Sequence, residues 1–139
     1  MKIIRIILLF FLAAGVVYII VLNIFIRKSN HIQILNVDDF ENILADKKDK
    51  QLIDLRTPRE FKKQHISDAI NINYLSIDFR KRIKKLDKTK PTMLYCHSGY
   101  RSKMALLTFY LIGFRDLYEL DTGFSGWFKT QKPIDQCNK

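Results

Sequence analysis

The sequence is poor in the residues that build disulfide frameworks and metal sites. Its 139 residues include two cysteines and three histidines. Neither Cys96 nor Cys137 has a partner at CxxC spacing, and His31, His65 and His97 do not follow any metal-ligand spacing. We therefore predict neither a disulfide framework nor a metal site.

The chain also lacks internal repeats, low-complexity segments and any basic stripe interleaved with aromatic residues. Its 24 basic and 14 acidic residues give a net charge of +10, but the lysines are scattered or stand in short pairs. Without a basic stripe we predict no nucleic-acid partner. A solvated basic surface beside anionic lipid fits this charge better.

Charge is missing altogether from one long segment near the N-terminus. Between Arg5 and Arg27 lie 21 uncharged residues, of which only Asn23 is clearly polar. As a helix they extend about 32 Å, which matches a hydrocarbon core of roughly 30 Å. We predict an N-terminal membrane anchor over residues 1–28 that spans the membrane with residues 6–26. A cleaved secretory signal is the alternative, because Lys2 and Arg5 resemble a charged leader, but no small-x-small cleavage site follows the run.

The flanking charges bear on which side of the membrane the rest of the chain occupies. Lys2, Arg5 and the α-amine precede the apolar run, and Arg27 and Lys28 follow it. This slight bias predicts a single-pass protein with its soluble domain on the exocytoplasmic side. The opposite side stays open, because the remaining chain, with 20 basic and 14 acidic residues, is basic, and a working thiol must stay reduced.

Strand and helix patterns alternate from residue 29 to residue 131, ahead of a polar tail at 132–139. Good helix signals are Asn36 as an N-cap, Thr57-Pro58 with Glu60 as a capped start, and Gly113 as an end. The alternation predicts a mainly parallel sheet with helices on both faces. Strands are predicted at 31–35, 51–55, 69–73, 92–96 and 116–120, and helices at 36–48, 58–64, 76–86, 102–114 and 123–131.

The stretch "YCHSGYRS" places Cys96 at the end of a predicted strand, where parallel sheets carry their chemistry. A turn from Cys96 to Arg101 that enters a helix directs successive backbone N–H groups at one point, which stabilises an anion. We expect this to make Cys96 a thiolate nucleophile. Gly99 supplies backbone freedom, Arg101 a fixed cation or clamp, and Ser102 a helix cap. A packed, inert thiol is the alternative.

Three separated blocks, "LIDLRTPREFKKQHISDAININY", "LYCHSGYRSKMALLTFYLIGF" and "ELDTGFSGW", resemble a single rhodanese domain from Leu52 to Trp127. The resemblance implies an α/β fold with a five-stranded parallel sheet and sulfurtransferase chemistry. The cysteine would take a sulfane sulfur from a small donor such as thiosulfate, become a persulfide and pass the sulfur to a thiol, a protein acceptor or cyanide. It implies no metal or organic cofactor.

The resemblance also assigns site residues by position. Cys96 is the nucleophile and persulfide carrier, and Arg101 is its catalytic companion. Asp54 and Arg56 match the family's Asp-x-Arg and order the site, and His65 matches a position whose role is structural. The substrate-binding positions are His97, Ser98, Gly99, Tyr100 and Ser102.

This chain departs from the rhodanese pattern at three places. Gln64 stands where the family often has Gly, Ser67-Asp68 where it has Pro-Gly, and Thr122-Gly123 where it has Gly-Gly. Asp tolerates a left-handed conformation better than most residues, so we expect the turn at Asp68 to survive. None of these departures touches Cys96.

Two other functions stay open. A cysteine phosphatase or arsenate reductase also activates a cysteine with an anion-binding loop, but that loop has the spacing Cys-x5-Arg. Here Arg101 is five places after Cys96, and the sixth place is Ser102. The second alternative is a catalytically idle, membrane-anchored binding module, because a fold does not guarantee turnover.

Cys137 is either a sulfur acceptor or resolving thiol, or an incidental exposed cysteine.

Overall fold

A computed structural model describes residues 1–136, which form two compact units, one of Met1–Asn30 and one beginning at His31. The first unit is a single helix, α1 (Lys2–Lys28), whose most apolar 18-residue window has a mean hydropathy of 2.8. The polar side chain of Asn23 donates from Nδ2 to the carbonyl of Ile19 at 2.8 Å, which satisfies it within the helix. By length and composition, α1 suits both a membrane span and a signal sequence.

The second unit alternates strands and helices. Its strands are β1 (Ile32–Leu35), β2 (Gln51–Asp54), β3 (His65–Ile66), β4 (Ile70–Asn71), β5 (Thr92–Tyr95), β6 (Leu117–Leu120) and β7 (Ile134–Asp135). Its helices are α2 (Val37–Asp46), α3 (Pro58–Lys63), α4 (Phe79–Ile83), α5 (Tyr100–Ile112) and α6 (Gly123–Lys129).

Five strands form one parallel sheet in the order β1-β6-β5-β2-β4. Every residue of β2, β5 and β6 is buried, as expected for central strands that helices cover on both faces. The predicted α/β fold and its five-stranded sheet are confirmed. All five strands end at one edge of the sheet, which places the residues after β2, β5 and β6 close together.

The two faces of the sheet carry separate packing layers, because side chains alternate along each strand. On one face, Phe40 of α2 and Trp127 of α6 meet edge to face with ring centroids 6.2 Å apart. The strand residues of this layer are Leu52, Met93, Tyr95, Tyr118 and Leu120. The other face presents Ile53, Leu94 and Glu119, and the buried side of α5 covers it through Ser102, Ala105, Leu106 and Phe109.

Three predicted helix boundaries are confirmed by their caps. The Asn36 side chain accepts from the amide of Asp39 at 2.9 Å and begins α2. Thr57 and Glu60 form a reciprocal capping box at the start of α3, with Pro58 in the first turn. Gly113 ends α5 with φ +114°. The capping box matters most for the site, because it fixes the Glu60 carboxylate just beyond the end of β2.

The prediction of a long amphipathic helix at 76–86 is wrong. Only Phe79–Ile83 is helical, and Ile77, predicted on the apolar face, is fully exposed. Ser76 donates from its hydroxyl to Asp78, and its carbonyl accepts from the amide of Phe79 at 3.1 Å. These local bonds hold residues 76–78 in a turn, which competes with the helix.

A second, two-stranded sheet was not predicted. In it β3 pairs antiparallel with β7, with His65 opposite Asp135 and Ile66 opposite Ile134. The strand β7 lies in the segment that we assigned to a polar tail, and its Ile134 packs against the core layer that contains Trp127. Strands of two residues are too short to show an alternating sequence pattern.

Candidate active site

Cys96 is the first residue after β5, and only 1% of its surface is exposed. A short loop, Cys96–Gly99, leads from it into α5. Because α5 begins at Tyr100, the helix starts earlier than predicted, and Gly99 with φ +84° is its N-cap residue. The prediction that Ser102 caps the helix is therefore wrong, since Ser102 lies within the first turn.

The loop is held from one side by the start of α6. The amides of Phe124 and Ser125 donate to the carbonyls of Cys96 and His97 at 2.8 and 2.9 Å. Since all described peptide bonds are trans, the N–H groups of the two following residues point the opposite way, away from α6. Two successive amides thus face the same side of the loop, which is the start of an anion-binding nest.

Two glycines make this close packing possible. A Cβ on Gly123 would lie 2.7 Å from the carbonyl oxygen of Cys96, and one on Gly99 would lie 2.0 Å from the carbonyl oxygen of Asp121. Both residues have positive φ, +58° for Gly123 and +84° for Gly99. The loop can therefore reach its place only with glycine at both positions.

Arg101, in the first turn of α5, forms a two-pronged ion pair with Glu60 of α3. Its Nη1 and Nη2 donate to Glu60 Oε2 and Oε1 at 3.1 and 2.9 Å. The hydrogen bond from Arg101 lowers the pKa of Glu60 to about 2, with help from the Thr57 hydroxyl. The pKa of Arg101 is raised, first by its hydrogen bond to Glu60 and further by the nearby Cys96.

Asp54 and Arg56 lie at the carboxyl end of β2 and are both buried. Arg56 donates from Nη2 to Asp54 Oδ2 and to the carbonyl of Gln64, each at 2.6 Å. The Arg56 guanidinium also stands 4.0 Å from the ring centroid of Phe124, whose amide holds the Cys96 carbonyl. The pair thus braces α6 against the loop.

We call three exposed side chains that follow Cys96 in the chain, two from the loop and one from the first position of α5, the mouth of the site. His97, Ser98 and Tyr100 are exposed, and Tyr100 leaves 66% of its surface open. The His97 ring nitrogen Nε2 lies 3.2 Å from the hydroxyl of Ser125. The mouth therefore combines an imidazole, a hydroxyl and a phenol ring above a buried thiol.

Ser102 connects the thiol to a buried carboxyl group. Its Oγ lies 3.5 Å from Cys96 Sγ, 2.6 Å from Glu119 Oε1 and 3.1 Å from the carbonyl of Gly99. Glu119, on β6, is fully buried, and this burial raises its pKa to about 7. Sequence reasoning missed Glu119, although a glutamate inside the apolar run "LYEL" of a predicted buried strand was a usable signal.

Comparison with known proteins settles the family. The sequence model described as a rhodanese-like domain matches residues 36–130, about two thirds of the chain. The chain belongs to the rhodanese-like domain family. The predicted resemblance is confirmed.

Known relatives are similar over most of this domain. The thiosulfate sulfurtransferase GlpE of Coxiella burnetii is 29% identical over 107 residues, which cover 77% of this chain and 95% of that protein. GlpE of Pseudomonas syringae is 36% identical over 80 residues, 57% of this chain and 73% of that one. The Bacillus subtilis protein YqhL, named as uncharacterized, is 38% identical over 87 residues, 63% and 68% of the two chains.

Solved structures support the rhodanese fold. The rhodanese-like domain of Alr3790 from Anabaena sp. has a TM-score of 0.65 at 18% identity, covering 73% of this chain and 77% of that one. BH2092 from Bacillus halodurans has a TM-score of 0.62 at 25% identity, covering 74% and 76%. Their likeness concerns the arrangement of the sheet and helices described above.

Asp68 takes the backbone conformation that the rhodanese pattern gives to glycine. Asp68, where the pattern has Gly, adopts φ +65°, so the left-handed turn survives as predicted. His65 stacks on Phe61 with ring centroids 3.8 Å apart, and its Nδ1 lies 2.9 Å from the Phe61 carbonyl. These contacts agree with a structural role for His65. Cys137 lies outside the described residues.

Proposed function

We propose that this rhodanese domain is a sulfurtransferase that carries sulfur as a persulfide on Cys96. The observation that carries the proposal is the placement of Cys96 at the carboxyl end of β5, in a loop whose carbonyls are held by α6 and which leads into the helix that carries Arg101. The names of the Coxiella and Pseudomonas relatives support thiosulfate as the type of donor.

The reaction proceeds in two displacements at sulfur. The Cys96 thiolate attacks the outer sulfur of thiosulfate, a new S–S bond forms, and the donor's S–S bond breaks with sulfite leaving with the electron pair. A thiolate or cyanide acceptor then attacks the outer sulfur of the persulfide, and Cys96 leaves as a thiolate. Each displacement forms one bond to the transferred sulfur and breaks one, and no electrons are gained or lost overall. The proposed reaction therefore needs no metal or organic cofactor.

Each loop residue has a part in this proposal. The amides that follow Cys96 and His97 hold the negative sulfur, and Arg101 offsets its charge. The exposed side chains His97, Ser98 and Tyr100 receive the anionic donor at the mouth. Gly99 and Ser102 shape the buried part of the site. The Asp54–Arg56 pair orders the site without contacting the sulfur.

The burial of Cys96 favours a second candidate, a catalytically idle binding module. A thiol that is 1% exposed is typical of a packed, inert cysteine. A phosphatase is the weaker alternative, because a loop that spans only Cys96–Gly99 before α5 suits a single sulfur atom better than a tetrahedral phosphate.

A thiocyanate assay separates the enzyme from the idle module. The full chain in detergent is given thiosulfate and cyanide, and thiocyanate is measured over time. We expect turnover by the wild type and by Cys137→Ser, and none by Cys96→Ser. A folded wild type that forms no thiocyanate from any sulfane donor favours the binding module.

The membrane anchor belongs to the same proposal. We propose that α1 remains attached and spans the membrane once, with the rhodanese domain outside, which brings the site to sulfur donors and thiol or protein acceptors at the membrane surface. Alkaline carbonate extraction of membranes should leave the full chain in the pellet, and protease added to intact cells or spheroplasts should degrade the domain. Release of a shortened chain lacking residues 1–28 contradicts the anchor, and protection from protease contradicts the outside placement.

A further inference from the structure

The carboxyl group of Glu119 lies directly beneath the cysteine loop. It belongs to β6, next to β5, and a Cβ on Gly99 would be 3.4 Å from its Oε1. Its other oxygen, Oε2, is buried and has no hydrogen-bond partner within residues 1–136. An unpartnered buried carboxylate oxygen costs stability, so its retention here calls for a functional reason.

The two basic residues that flank Ser102 on α5 are engaged elsewhere. Lys103, which follows Ser102 on α5, forms its ion pair with the exposed carboxylate of Asp121. Arg101 turns toward Glu60 on α3. The neighbouring strands present only apolar partners, Ile34 of β1 and Leu94 of β5, in register with Glu119. Glu119 therefore has no direct ion pair among the described residues, and Ser102 is its hydrogen-bond donor.

The Ser102 hydroxyl lies within hydrogen-bond distance of both the Cys96 thiol and the Glu119 carboxyl group. Ser102 Oγ is 3.5 Å from Cys96 Sγ and 2.6 Å from Glu119 Oε1. A hydroxyl has one proton to donate and lone pairs that accept, so it can donate to the carboxylate while it accepts from an S–H group. In this orientation two hydrogen bonds connect the thiol proton to the carboxylate through Ser102.

We propose that Glu119 receives the proton of the Cys96 thiol through Ser102 and returns it when sulfur leaves. This inference rests on the proposed sulfurtransferase function and adds to it the residue that handles the proton. Glu119 acts through Ser102 and does not touch the reacting sulfur.

The proton balance is simple. In activation, the S–H proton moves to Ser102 Oγ as the Ser102 proton moves to Glu119 Oε1, which leaves a thiolate, an unchanged serine and a neutral carboxylic acid. After the acceptor has taken the outer sulfur, the released Cys96 thiolate regains a proton by the reverse path. No electrons are exchanged with any other group. A carboxyl group that titrates near neutral pH suits such two-way transfer.

The pH dependence of Cys96 alkylation tests this relay without requiring sulfur transfer. The full chain in detergent is treated with iodoacetamide between pH 5 and pH 9, and mass spectrometry quantifies the Cys96 peptide separately from Cys137. Because Cys96 and Glu119 share a proton, the wild-type rate should rise in two steps, the first near neutral pH. Glu119→Gln should lose the near-neutral step and show a single rise.

Ser102→Ala distinguishes a relay from simple charge repulsion. It keeps Glu119 in place but removes the hydroxyl whose hydrogen bonds stabilise the Cys96 thiolate beside a protonated Glu119, so the near-neutral step should be lost here as well. Glu41→Gln is the matched control, since the Glu41 carboxylate on α2 pairs with Lys132 and has no part in the site. It should keep both steps.

Identical profiles for wild type and Glu119→Gln, or two steps that persist in Ser102→Ala, overturn the relay. Infrared difference spectra provide an independent check. A protonated carboxyl band should persist in the wild type while the Cys96 thiolate forms near neutral pH and should disappear only in the second step, and it should be missing throughout in Glu119→Gln. A two-step profile without persulfide formation from thiosulfate would leave the relay intact and contradict the proposed function, so the two can fail separately.

Discussion

Arg101 of α5 and Glu60 of α3 form a two-pronged ion pair, joined by hydrogen bonds of 2.9 and 3.1 Å. The pair ties the first turn of α5 to α3, and the capping box with Thr57 fixes the carboxylate in turn. An arginine held at both prongs has few alternative rotamers, so its charge stays beside the loop that carries Cys96.

Loss of this pair should reduce sulfur transfer more than it reduces stability. Glu60→Gln keeps the size of the side chain but removes the charge that orients Arg101. We expect thiocyanate formation to fall about tenfold or more, as when an aligned charge is misplaced. The free energy of unfolding should fall by about 1 kcal/mol, because the pair is partly exposed and screened. Glu41→Gln, which breaks the Lys132 pair, should leave turnover unchanged.

The same pair predicts a stability loss in acid. The pKa of Glu60 is lowered in the folded state to about 2. Its contribution is therefore complete above the ordinary carboxyl range and is lost as the pH falls from about 4.5 toward about 2. Urea titrations followed by the fluorescence of Trp127, the one tryptophan of the chain, measure this. Glu60→Gln should show a smaller loss over that range, and an equal loss contradicts the assignment.

Replacing Gly99 by alanine should destabilise the domain more than the same replacement at Gly113. Both have positive φ, but a Cβ on Gly99 would collide with the Asp121 carbonyl at 2.0 Å, whereas one on Gly113 would meet only Lys88 Cδ at 3.6 Å. Alanine at either position introduces backbone strain, because both positions have positive φ. The difference between the two losses in free energy of unfolding therefore measures the collision with Asp121. We expect Gly99→Ala to destabilise the domain by about 1–3 kcal/mol more than Gly113→Ala in the same urea titration. Equal effects contradict the close approach.

Glu119 should make the domain less stable as the pH rises toward neutral. Burial raises its folded-state pKa to about 7, so between pH 4.5 and 7 the folded chain holds a proton that the unfolded chain releases. Stability therefore falls with rising pH across this window, by up to about 3 kcal/mol. Glu119→Gln cannot ionise and should remove this slope. A slope that Glu119→Gln retains belongs to other groups and contradicts the raised pKa.

The sequence was sufficient for the features that depend on local chemistry. Asn36, the Thr57 capping box and Gly113 predicted helix boundaries because each satisfies backbone groups through its own side chain or φ. Buried apolar runs predicted the central strands, and their order along the chain implied a parallel sheet. Cys96 could be placed at a strand end by the same pattern.

What escaped prediction depends on contacts between distant segments. Strand β7 forms because Ile134 finds Ile66, 68 places earlier in the chain, and a two-residue strand has no periodic signal of its own. Ser102 faces Glu119 instead of capping α5 because the helix starts at Tyr100 with Gly99 as its N-cap, and that start depends on the close approach of Gly99 to Asp121. The exposed Ile77 shows the reverse, a helical pattern that local bonds at Ser76 interrupt.

The most direct test of the account is the mass of the Cys96 peptide after the full chain has met thiosulfate. We predict that Cys96 gains one sulfur atom, that cyanide or a thiol removes it, and that Cys96→Ser shows no gain under the same conditions. An unmodified Cys96 in a folded, reduced sample, with thiosulfate and with other sulfane donors, would contradict the persulfide mechanism.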